Sequence, residues 1–108
     1  MLKTRNYRSR DSRCYEIAMD IILDNEEPMY LIHGFINGKN NSRIGHAWIQ
    51  YKGQYYDGVF NEYYEKVYYI KHFNAEIVHR YNRKQASKLM LENKHSGPWD
   101  KNLEIIPS

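Results

Sequence analysis

The dipeptide Lys52-Gly53 lies between two runs rich in aromatic and branched residues, Arg43 to Tyr51 (RIGHAWIQY) and Gln54 to Phe60 (QYYDGVF). A two-residue link between strands allows little besides a tight antiparallel hairpin, and a tight hairpin fixes register. Tyr51 then faces Gln54, Trp48 faces Asp57 and His46 faces Val59. Cross-strand partners share a face of the sheet, so His46, Trp48 and Gln50 project with Tyr55, Asp57 and Val59. His46 and Asp57 become diagonal neighbours, about 7 to 8 Å apart between backbones, a span that an imidazole and a carboxylate can close.

The other elements follow from periodicity and punctuation. Upstream, Cys14, Ile17, Ala18, Ile21 and Ile22 recur at helical spacing. Asp11 or Ser12 supplies the N-cap, and Asp24 to Pro28 (DNEEP) stops the helix. Met29 to Ile36 (MYLIHGFI) reads as a strand, and Asn37 to Ser42 (NGKNNS) as a loop. Asn61 to Asn74 (NEYYEKVYYIKHFN) suits a strand by its aromatic content and a short helix by the spacing of Tyr69, His72 and Phe73. Ala75 to Tyr81 reads as a further strand. Asn82 with Gln85 three residues on opens a capped helix through Ala86, Leu89 and Met90 to about Asn93. Gly97-Pro98-Trp99 is expected to cap that helix and cover a sheet edge, and the tail beyond it reads as loop. The order indicates an α+β fold with an antiparallel sheet.

The chain has 108 residues, 42% of them hydrophobic, which fits one small domain whose active residues must share space with the core. A mean hydropathy of -0.85 is polar. Eleven Tyr, three Phe and two Trp nevertheless offer enough buried ring area to argue against disorder. The net charge of +3 is an N-terminal property: residues 1 to 12 form a basic leader, and Lys3, Arg5, Arg8, Arg10 and Arg13 face Asp11 alone. A solvated leader accounts for this, with a phosphate-binding arm as the alternative. No apolar run reaches the length of a membrane span and no secretory signal is visible, so the expected compartment is the cytoplasm. A single cysteine excludes an internal disulfide and any multi-cysteine zinc cage, and no cofactor is implied.

A carboxylate on one imidazole nitrogen fixes the tautomer and leaves the other nitrogen free to take a proton. Cys14 supplies a nucleophile. It sits in the first helical turn, at the positive end of the helix dipole, and Arg13 adds to that field. Cys14, His46 and Asp57 thus match the nucleophile, base and orienting roles of thiol catalysis.

A Cys at the start of the first long helix, then Gly-His-Ala-Trp on one strand and Tyr-Asp on the next, resembles the papain-like superfamily, and within it the transglutaminase-like and arylamine-acetyltransferase-like branch. The resemblance implies a minimal papain-like domain and acyl chemistry of the peptidase, deamidase or transglutaminase kind. Cys14 would be the nucleophile, His46 the base and Asp57 the orienting acid, with Arg13, His33, Trp48 and Tyr56 beside the site. The wider pattern of Cys14-Tyr15-Glu16, His33-Gly34, IGHAWI at 44 to 49, Tyr56-Asp57 and Gly97-Pro98-Trp99 also resembles small bacterial and phage proteins. Two positions depart from the superfamily. The leader offers Asn6 and Arg8 where an oxyanion-hole Gln usually precedes the Cys, and Gly58 stands where relatives often have Pro.

Plainer readings exist for each residue. A lone Cys on an apolar helix face is commonly core packing. His33 reaches the face of His46 if Ile36 pairs with Arg43, and Cys14, His33, His46 and Asp57 would then make a mixed metal site; packing beside the site is the commoner outcome. The tyrosine pairs (55–56, 63–64, 68–69) suit a protein interface, so the alternative function is a non-enzymatic binding protein on the same scaffold, such as a phage-encoded inhibitor of a host protein. No nucleic-acid-binding signature accompanies the basic leader.

Overall fold

A computed structural model describes residues 1–104. The Lys52-Gly53 turn forms as its dipeptide requires, with both residues at positive φ, 48° and 77°. It joins β2 (Arg43–Tyr51) to β3 (Gln54–Asp57) in the expected register, Tyr51 opposite Gln54, Gln50 opposite Tyr55 and Ile49 opposite Tyr56. The strand stops at Asp57, short of the expected Phe60. The Asp57 carboxylate bends back to accept the Val59 amide at 2.9 Å, and a side chain that captures the next backbone donors takes them from the ladder.

Before the hairpin lie α1 (Cys14–Asp24) and β1 (Tyr30–Asn37); after it come β4 (Glu62–Glu65), α2 (Lys66–Phe73), β5 (Glu76–Tyr81) and α3 (Arg83–Asn93). The strands form one antiparallel sheet in the order β4-β3-β2-β1-β5. The Asn61 to Asn74 stretch satisfies both of its signals in turn, strand first and then helix. The α3 capping box forms as read: the Asn82 side chain accepts from the Gln85 amide, and Gln85 returns the bond to the Asn82 amide. At α1 the cap differs from expectation. Arg13 occupies the N-cap with no side-chain cap bond, and Ser12 adopts a positive φ of 61°.

Alternation along the strands divides the core. Leu31, Ala47, Ile49 and Tyr56 face α1 and Ala86 of α3, whereas Ile32, Trp48 and Tyr55 face Tyr69 of α2. The leader is mostly exposed, as a solvated leader is, but it is anchored to the first of these layers. Leu2 is buried, Arg5 pairs with Asp24 at 2.7 Å, the Tyr7 hydroxyl donates to Asp20, and Arg10 donates to the Gly58 carbonyl at 2.8 Å. Acids on α1 therefore meet the Arg5 charge. The tail also departs from a plain loop: Lys101–Leu103 forms a 3-10 turn that buries Leu103, while residues 105–108 of the expected tail lie outside the described residues. No helix among the described residues is long and apolar enough to cross a membrane.

Candidate active site

β2 carries His46 and β3 ends on Asp57. His46 Nε2 and Asp57 Oδ2 are 2.7 Å apart, with both side chains buried. The diagonal pair read from the hairpin closes into a direct hydrogen bond, since the tight turn sets the register and the period of two sets the face. With Nε2 committed to Asp57, Nδ1 is the nitrogen left for a second partner. The Cys14 thiol hydrogen-bonds His46 from the first turn of α1. Cys14 and His46 are each only 1% exposed, and His46 lines a cleft of about 450 Å³ walled by Ile36, Ile44, Val59 and Phe60 with Ser12 and Lys39 at its rim.

Asp57 accepts four hydrogen bonds. Oδ2 takes His46 Nε2 and the Tyr69 hydroxyl, both at 2.7 Å, and Oδ1 takes the Val59 and Phe60 amides at 2.9 and 3.4 Å. Burial works against a charge on this carboxyl. The His46 charge and the bonds from His46, Tyr69 and Val59 outweigh it, holding the group below its ordinary value. Burial likewise opposes a charge on His46, but the Asp57 charge and its hydrogen bond, helped by Cys14, raise the imidazole to about 10. The pair is held as imidazolium and carboxylate.

The neighbouring residues divide between the two faces. Trp48 lies on the His46 face, its ring 6.1 Å from the imidazole and inclined 30°. Tyr56 points to the α1 layer, where its hydroxyl donates to Asn61 Oδ1 at 2.6 Å, on the opposite face of the sheet from Trp48. Arg13 turns back on Glu16 at 2.5 Å and on the Ser9 carbonyl at 3.1 Å.

His33 corrects the expectation. Arg43 pairs with Asn37, not Ile36, which places Gly34 opposite His46 and His33 opposite Ala47. A slip of one residue sends a side chain to the other face, so His33 belongs with the α1 layer. There its ring contacts Tyr15, Tyr81 and Trp99 with centroids 4.8, 5.2 and 5.0 Å away, and neither nitrogen has a hydrogen-bond partner among the described residues. Trp99 thus covers His33 and not the His46 cleft. Among the described residues, no group of three or more His, Cys, Asp or Glu side chains is placed to hold a metal ion.

Tyr69 escaped sequence reasoning. It is fully buried on α2, a helix whose existence the sequence left open, and only its i and i+4 partnership with Phe73 hinted that it turns inward. No protein-family model, curated protein or solved structure matches the chain.

Proposed function

We propose that the protein is a thiol-dependent acyl hydrolase or acyltransferase with Cys14 as nucleophile, His46 as base and Asp57 as orienting acid, on a domain of papain-like, transglutaminase-like kind. The observation that carries this reading is one imidazole hydrogen-bonded through Nε2 to a buried carboxylate and also bonded to a helix-terminal thiol, at the wall of a cleft. In the reaction, the Cys14 proton has passed to His46 Nδ1, which completes the imidazolium, and the Cys14 Sγ thiolate forms a bond to an amide or thioester carbonyl carbon. The C–N or C–S bond then breaks, the departing amine or thiol takes that proton, and a thioester to Cys14 remains. Water or an amine attacks the thioester and gives its proton to His46, and Cys14 leaves as the thiolate, which restores its pairing with the His46 imidazolium. The first turn of α1 supplies the Cys14 amide and the positive end of the helix to the developing oxyanion.

The near-complete burial of Cys14 favours a second reading, a binding protein on the same scaffold in which the thiol is core. Iodoacetamide separates the two. An active pair predicts that native Cys14 alkylates at pH 7, and that His46→Ala slows alkylation at least about tenfold, because the thiolate is the attacking species. Alkylation that occurs only after denaturation would reject the catalytic reading in favour of the binding one.

A further inference from the structure

The acid of the pair is itself held from a second direction. Tyr69 comes from α2, a different element from the turn that supplies the Val59 and Phe60 amides, and its hydroxyl reaches the same Asp57 oxygen that His46 Nε2 reaches. Its ring packs tightly, 5.2 Å from Trp48, 5.4 Å from Tyr55 and 4.8 Å from Phe73. A phenylalanine would fill that space equally well without the donor.

We infer that Tyr69 is a positioning residue that sets how strongly Asp57 holds the His46 proton. Two donors share one carboxylate oxygen, so the negative charge that Tyr69 draws to itself is not available to His46. The hydroxyl also keeps Oδ2 aimed at Nε2, because rotation of the carboxylate would strand a buried phenol without an acceptor. The ionisable neighbours leave this assignment intact. Tyr64 of β4 and Cys14 of α1 are the other groups that act on the Tyr69 phenol, and both Asp57 and burial keep the phenol protonated. Tyr69 therefore acts as a donor only.

This inference rests on the His46–Asp57 geometry and deepens the proposed catalytic reading, but its test reads His46 directly. The full chain is labelled with ¹³C and ¹⁵N at histidine, and the His46 ring resonances are followed against pH in the native protein and in Tyr69→Phe. Removing the donor returns charge to Asp57, and the His46 midpoint is expected to rise by about half a unit or more. Site-specific 3-fluorotyrosine at position 69 keeps the ring and makes the hydroxyl a stronger donor, so the midpoint is expected to fall. Opposite displacements cannot arise from packing. Midpoints unmoved in both variants, or moved in the same direction, would overturn the inference, and the fluorotyrosine protein decides alone if Tyr69→Phe does not fold. An inert Cys14 would refute the catalytic reading without touching this outcome.

Discussion

Two histidines in one small core have been driven in opposite directions. His46 gains a carboxylate and a thiol; His33 gains three aromatic rings and, among the described residues, no hydrogen bond. Burial, reinforced by the nearby His79, pushes His33 down to about 3. The unfolded chain takes up a proton near the ordinary value of about 6.5, so the folded state loses about 1.4 kcal/mol per pH unit as pH falls from there toward 3. His46 has the opposite sign. Its contribution is complete below about 6.5 and is lost as pH rises through about 10. Asp57, depressed by its donors, also gives stability that disappears in acid, so the acid limb has several sources. Urea unfolding of His33→Leu isolates one of them: between pH 6.5 and 5 its stability should fall less steeply than that of the native protein, by about 1 kcal/mol per unit. The slope and not the absolute stability is the readout. Equal slopes would mean that His33 accepts a proton without penalty.

At the scale of elements, Gly34 shows what sheet closure demands. It lies opposite His46 on β2, at the point where the β1–β5 register shifts, and a Cβ there would stand 2.0 Å from the Glu76 carbonyl oxygen. That contact is backbone and has little room to yield. Gly34→Ala is expected to push β5 away from β1 and cost about 1 to 3 kcal/mol, measured by thermal or urea unfolding, with hydrogen exchange accelerated along β5 before the β2–β3 hairpin. Exchange unchanged in β5 would contradict this account. The hairpin itself was legible because a two-residue turn leaves no register freedom. The β1–β2 pairing was not, since the loop between those strands closes through the Gly38 amide on the Ser42 carbonyl with Asn40 and Asn41 at positive φ, a conformation that no simple pattern announces.

For the molecule as a whole, the leader is the largest revision of the sequence reading. Besides burying Leu2, it satisfies Asn25: Lys3 donates its amide to Asn25 Oδ1 at 2.8 Å and accepts from Asn25 Nδ2 at 3.0 Å. Its ion pairs are exposed and contribute little. The stabilisation comes from the apolar contact and from the donor that Lys3 gives to Oδ1 of buried Asn25, whose Nδ2 also holds the Ile21 carbonyl at 2.9 Å. Deleting residues 1–10 should therefore lower the unfolding free energy by about 2 kcal/mol or more, as measured by urea denaturation against the full chain. A truncated protein of equal stability would restore the solvated leader.

Local rules determined a good part of this protein. The hairpin register, the period of two that puts His46 and Asp57 on one face, the α3 capping box, the apolar stripe that turns Cys14 inward and the α+β class all depend on neighbours a few residues apart. Only the tertiary structure decided what meets across long separations. It moved His33 to the opposite face by a single residue of register, folded the basic leader onto the acids of α1, and brought Tyr69 from an ambiguous segment onto Asp57. Each of those outcomes depends on loop closure and on competition for buried space, and neither is encoded in the spacing of residues along the chain.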